Sequence, residues 1–220
     1  MRRSALPPLS PSAPRFRTGP LGLLARALLK LHGWRIVGRF PDEPKLVLVG
    51  FPHTSNWDGY FGVLFVLGLG LKVKLMIKHT ALEGPFGGFM RWLGFVAVDR
   101  TRPVGVVGQI AEKFAGHERF WLGITPEGTR KGAAEIKTGF HRIARAANVP
   151  LLPVCIDFRN RCIRLLPVFE TSEHPEEDVD RLLRRCVGLA WPRHVERLSA
   201  PMRRAMTREG ELVVPPPEDR

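Results

Sequence analysis

Apolar residues recur along this chain with two different spacings. KLVLVGF, at 45–51, is a short β-branched run of the kind a fully buried strand carries. Residues 57–70 are apolar nearly all round and too long for a strand, which predicts a buried helix. KVKLMIK (72–78) alternates and predicts a strand. GPFGGFMRWLGF predicts a short helix opened by Gly-Pro, FVAVDR (95–100) a strand, and PVGVVGQIAEKFAGHE a helix. RFWLGITPEG (119–128) reads as a strand running into a Pro/Gly turn, and TGFHRIARAANVP as a helix. PLLPVCIDF (150–158) is a further strand, with RCIRLLPVF a candidate beside it. PEEDVDRLLRRCVGLA (175–190) carries acids in its first turn and arginines later, which suits a helix and its dipole. Strands alternating with helices predict an α/β fold: a layered, mostly parallel sheet flanked by helices.

Ahead of this pattern, Leu21, Leu24, Ala25, Leu28, Leu29 and His32 fall at helical spacing, with Arg26 and Lys30 off the stripe. This predicts an N-terminal amphipathic helix over 20–33. Two placements stay open for it, on the protein core or on a bilayer as a basic interfacial helix. Residues 1–19, rich in Pro, Ser and Arg, predict a disordered lead-in, and 201–220, ending VVPPPEDR, a poorly ordered tail. A single domain over 20–200 lies between them. The N-terminal arginines and the charges at 26 and 30 do not fit a signal peptide. The longest apolar run, GYFGVLFVLGLGL, falls short of the ~18–20 residues that a spanning helix needs.

Composition then narrows the partner. Of 220 residues, 34 are Lys or Arg and 21 Asp or Glu, a formal charge of +13 that calls for something anionic. Nucleic acid, a phosphorylated substrate and an anionic membrane surface all qualify. A nucleic-acid-binding protein is the weakest of these, because there is one tyrosine to stack on bases and no binding motif. The three cysteines, Cys155, Cys162 and Cys186, have no metal spacing and read as reduced packing thiols.

The candidate chemistry begins at GFPHTSNWDGYFG (50–62). His53 falls in the loop at the C-terminal end of a strand, where open α/β sheets place ligands. Asp58 falls in the first turn of the next helix, after the cap residues Thr54, Ser55 and Asn56. A chain bending from strand to helix can bring the two side chains together as a general base and its orienting carboxylate. The bland alternative is a helix cap beside a satisfied surface histidine. No GxSxG nucleophile is present, so the base would act directly on a substrate hydroxyl. A second constellation, Glu127, Gly128, Thr129 and Arg130, forms a turn after a strand and suits phosphate: a glycine for close approach, a hydroxyl and a planar fork. Its alternative is a β-turn with a surface ion pair. Asp99-Arg100 and Lys78 end two further strands and would bring cations to the same sheet edge.

Taken together, these blocks resemble the glycerolipid acyltransferase superfamily, of which bacterial 1-acylglycerol-3-phosphate acyltransferases are typical. HTSNWD fits its HxxxxD signature, GFVAVDR its second block, PEGTR its third, and VPLLPVCI, with Pro150 and Pro153, its fourth, over roughly residues 45–158. The resemblance implies transfer of a fatty acyl group from acyl-CoA or acyl carrier protein to a lysophospholipid hydroxyl. His53 and Asp58 would be catalytic. Lys78, Arg100, Glu127, Gly128, Thr129 and Arg130 would bind substrate. Neither metal nor cofactor is implied, since a thioester is already activated. The implied location is the cytoplasmic face of the membrane, as a peripheral protein. Lys131 stands where the family often has serine, and Pro52 where Asn is frequent. An acceptor outside the glycerolipids, such as a lyso-ornithine lipid, remains the alternative.

Overall fold

The computed structural model describes residues 6–78, 83, 85, 87–98 and 105–210. Seven strands form one sheet: β1 (Arg35–Val37), β2 (Lys45–Phe51), β3 (Val73–Lys78), β4 (Phe95–Val98), β5 (Phe120–Ile124), β6 (Leu151–Asp157) and β7 (Cys162–Leu165). Their order is β1-β7-β6-β2-β5-β3-β4. Every neighbouring pair is parallel except β6 with β7, which are antiparallel through the Asp157–Cys162 turn. The mostly parallel α/β layout expected from the sequence is therefore present. RCIRLLPVF supplies β7, and β1 adds a three-residue edge strand that the apolar pattern does not announce.

The helices are α1 (Gly19–Leu31), α2 (Asn56–Leu69), α3 (Gly87–Leu93), α4 (Gly105–Ala115), α5 (Gly139–Ala147), α6 (Pro175–Cys186) and α7 (Ala200–Arg208). Side chains alternate across β2. Val47, Val49 and Phe51 join Phe114, Phe140, Leu182 and Met202 in a core under α4 to α7. Leu46 faces the opposite way, into a core with Ala25, Leu29, Phe61 and Phe65 from α1 and α2. Burial on both faces explains why β2 reads as an unbroken apolar run. The three cysteines are free and buried.

Three expectations are resolved or corrected here. Helix α1 packs on the core through Gly22, Ala25 and Leu29, yet Leu21, Leu23, Leu24 and Leu31 stay exposed. The first alternative for its inner face thus leaves a separate apolar surface outside. The disordered lead-in is corrected over 6–18, which form a fixed strap, while residues 1–5 lie outside the described residues. Ala13 is fully buried, Ser10 Oγ donates to the Pro41 carbonyl at 2.6 Å, and the Phe16 N–H to the Gly70 carbonyl at 2.9 Å. Average polarity hid these few long-range anchors. The poorly ordered tail is likewise corrected over 201–208, where α7 buries Met202 and Met206 one turn apart. Residues 211–220 lie outside the described residues.

Candidate active site

The site is built at the C-terminal end of β2, near the middle of the sheet. The chain leaves β2 at Phe51, passes a cis Phe51–Pro52 bond, and enters α2 with Ser55 as the extended N-cap. Asp58, at the third position of α2, forms a capping box with Ser55. One of its oxygens, Oδ2, accepts the Thr54 N–H at 2.7 Å and the Ser55 N–H at 2.8 Å, while Oδ1 accepts the Ser55 hydroxyl at 2.9 Å. Oδ2 also meets His53 Nδ1 at 3.1 Å. The same carboxylate therefore caps the helix and holds the histidine ring. With both of its oxygens accepting, the proton on that side belongs to Nδ1, which leaves Nε2 as the basic ring atom. The Asp58 side chain is 2% exposed and that of His53 18%, so the carboxylate is locked and the imidazole reachable.

Beside β2 lies β5, and the chain leaving it makes the second wall. Gly128 has φ +65, the left-handed region that favours glycine, and its N–H closes a turn onto the Thr125 carbonyl at 3.1 Å. A cleft of about 830 Å³ lies between the two loops. His53, Ser55 and Asn56 line it from one, Thr125 and Gly128 to Lys131 from the other. Arg197, from a 3-10 turn over Val195–Arg197, lines it as well.

Glu127 takes a different place from the one expected. Its side chain is not among the cleft-lining groups; the residue is 2% exposed and its Oε2 accepts the His53 N–H. It braces the loop that carries the imidazole. Burial pushes its carboxyl above the ordinary range, against the opposing pull of the Ser199 hydroxyl and the His53 N–H. Ser199 Oγ lies beside it, but neither that oxygen nor Glu127 Oε1 reaches hydrogen-bond geometry with a described partner.

Of the other expected substrate-binding residues, Gly128, Thr129 and Arg130 line the cleft with His53. Lys78 ends β3, and its side chain lies outside the described residues, as do Asp99 and Arg100. Lys131, noted in the sequence only as a departure, lines the cleft beside Arg130, and Thr125 and Arg197 were not anticipated. Thr125 could have been found, since it immediately precedes the PEGTR block. Arg197 carries no local signal. The cleft thus joins an oriented, accessible imidazole to Arg130, Lys131 and Arg197. That combination can take a proton from a hydroxyl while holding an anionic substrate.

The family model described as Acyltransferase matches residues 35–157, which include both loops of the cleft. The 1-acyl-sn-glycerol-3-phosphate acyltransferase of Escherichia coli is 30% identical over 199 residues, covering 80% of this chain and 79% of that protein. The Salmonella typhimurium protein of the same name is 30% identical over 156 residues, covering 62% of each. In fold, the chain is similar to the crystal structure of the 1-acyl-sn-glycerophosphate (LPA) acyltransferase PlsC from Thermotoga maritima. That likeness has a TM-score of 0.52 at 15% identity and covers 77% of this chain and 78% of the other. This chain belongs to the acyltransferase family and is an O-acyltransferase of the 1-acylglycerol-3-phosphate acyltransferase type.

Proposed function

We propose that the enzyme moves a fatty acyl group from a CoA or acyl-carrier-protein thioester to the free hydroxyl of a 1-acylglycerol-3-phosphate or related lysophospholipid. His53 Nε2 takes the hydroxyl proton as the oxygen attacks the thioester carbonyl. Asp58 holds the ring and stabilises the imidazolium. The tetrahedral intermediate collapses, the C–S bond breaks, and the proton passes to the departing thiolate. A thioester is already activated, so this chemistry needs no metal or other cofactor. Arg130 offers a planar two-pronged donor to the acceptor phosphate, Thr129 a hydroxyl, and Gly128 the turn that presents them. The resemblance assigns Arg100 and Lys78 to the same anion. The observation that carries the reading is the 3.1 Å His53–Asp58 pair opening onto a cleft lined by cations.

The substrates are lipids, and no helix among the described residues is long and apolar enough to cross a membrane. The reading therefore includes peripheral docking on the cytoplasmic face of the membrane. The exposed Leu21, Leu24 and Leu31 of α1 would enter the interface, and the basic surface would add attraction to anionic lipid. The test is an acceptor screen with labelled acyl-CoA and acyl carrier protein as donors. Transfer to 1-acylglycerol-3-phosphate or another lysophospholipid is expected from the wild-type chain and not from His53→Ala. Transfer confined to a lyso-ornithine lipid would move the acceptor outside the glycerolipids. Undiminished transfer by folded His53→Ala would sink the mechanism.

A further inference from the structure

The 3-10 turn that carries Arg197 lies beyond the segment 35–157 that the family model matches, yet it is fastened to the active-site loops at several points. The His194 N–H approaches the Thr54 hydroxyl at 3.4 Å, one residue from His53. The Ala200 N–H donates to the Ala133 carbonyl at 2.8 Å, just past Lys131. A side chain at Gly132 would meet the carbonyls of Leu198 and Arg197 at 3.4 and 3.8 Å, so the two backbones run in close contact. From α7, Arg203 Nη2 donates to the carbonyls of Val195 and Glu196 at 3.3 and 2.9 Å, tying the turn down from behind. The turn is a built part of the cleft wall.

Its one cleft-lining side chain has little else to do. The acid nearest Arg197 is Glu196, at 3.9 Å from Nε, and that carboxylate is already engaged by His194 Nδ1 at 3.1 Å. The Arg197 side chain is 47% exposed and opens onto the space that also receives Arg130 and Lys131. Among the described residues no carboxylate forms an ion pair with Arg130 or Lys131, so three cations at one cleft leave positive charge for a ligand to neutralise.

We infer that Arg197 is a substrate-anchoring residue that binds a phosphate of one of the two substrates, either the acceptor headgroup or the CoA donor. The inference rests on acyl transfer at the His53 cleft. A guanidinium fork suits a phosphate dianion, and a backbone held at both ends lowers the cost of ordering it. The residue positions substrate relative to Nε2 and takes no part in proton transfer.

Equilibrium titration of the full chain with CoA and, separately, with glycerol 3-phosphate tests this. Arg197→Gln should weaken one of the two about tenfold, toward the low end for a charge-assisted hydrogen bond because the side chain is half exposed. Arg197→Lys should recover part of that loss, since it keeps the charge and loses the fork. Arg208→Gln, the same charge change at the end of α7, should leave both affinities unchanged. A loss for CoA alone assigns the donor, and a loss for glycerol 3-phosphate alone assigns the acceptor. Wild-type affinities in a folded Arg197→Gln, or no binding of either probe to the wild type, would overturn the inference. Should Arg197→Gln fail to fold, wild-type affinities in Arg197→Lys would do the same. Binding needs no turnover. His53→Ala should therefore bind both probes normally while transfer stops, which separates this inference from the proposed mechanism.

Discussion

Among the described residues there are two histidine–aspartate pairs of nearly the same geometry, and they sit in opposite surroundings. His53 Nδ1 meets Asp58 at 3.1 Å, and His141 Nε2 meets Asp178 at 3.0 Å. In both, the aspartate sits in the first turn of a helix and also accepts backbone N–H groups, from Thr54 and Ser55 in one case and from Ser172 in the other. The difference lies on the far side of the ring. His53 is 18% exposed and lines the cleft, whereas the His141 side chain is 3% exposed and lies in α5 beside Phe140 and Ile143 of the core. The second pair joins α5 to α6. A histidine held by a carboxylate can act as a base only if a substrate can reach its other nitrogen, so access is what would divide a catalytic pair from a structural one.

The comparison is broken most directly by removing each histidine. His53→Ala should lower transfer by about 10²- to 10⁴-fold while the melting temperature stays as in the wild type. His141→Ala should do the reverse. Removing one hydrogen-bond partner from a buried carboxylate costs about 1–3 kcal/mol, read in urea unfolding, with transfer per folded molecule retained. If His141→Ala lost transfer without losing stability, access would not be the deciding variable.

The Asp178 carboxylate should also make stability depend on pH. Burial alone would push Asp178 up, but the Ser172 N–H, His141 and Arg181 outweigh it and hold the carboxyl below its ordinary value. A depressed folded value means stability that is complete above the unfolded value, near pH 4, and is lost as pH falls through the folded one. Urea midpoints for the wild type should therefore fall steeply below about pH 4, and Asp178→Asn should flatten that part of the curve. An equally steep fall in Asp178→Asn would place the acid sensitivity elsewhere.

Arg130→Lys sharpens the picture from the cleft side. The charge stays and the planar fork goes, so the acceptor KM should rise about tenfold with kcat little changed. A rise in donor KM alone would move Arg130 to the CoA side. The smallest effect is expected outside the site. Replacing Leu21, Leu24 and Leu31 by Gln should weaken binding to anionic vesicles several-fold and leave activity on detergent-dispersed acceptor intact, since none of the three is buried. Loss of detergent activity as well would return these leucines to a purely structural role.

Much of the site was legible because its parts are local. His53 and Asp58 are separated by one strand-to-helix bend, with three cap residues between them marking where the helix starts. Gly128 to Arg130 form one turn after a strand. What was not legible depends on chain segments that meet only in the fold. Arg197 approaches Lys131 because α7 and the 3-10 turn pack against the loop after β5, and no spacing encodes that contact. Glu127 looked like a ligand-binding acid because it adjoins Gly128, Thr129 and Arg130; only burial beneath the His53 N–H reveals its bracing role. Edge strand β1 is too short to show a period. Met202 and Met206, four apart behind Ser199 and Pro201, did carry a helical signal, outweighed by the proline-rich residues that follow.

The strap ahead of α1 bears on how the chain folds. Its anchors reach Pro41 and Asp42, 31 and 30 positions away, and Arg119, whose guanidinium holds the Pro11 carbonyl across 108 positions. It also pairs with Gly70 and Leu71 at the entrance to β3. Such a segment has nowhere to dock until β2, α2, β3 and β5 are already assembled, and the wide sequence separation makes early docking entropically unfavourable. It should be the last piece to settle and the first to detach. Arg15 and Arg17 lie within it, so cleavage there by trypsin would register partial opening of the N-terminal edge well before global unfolding.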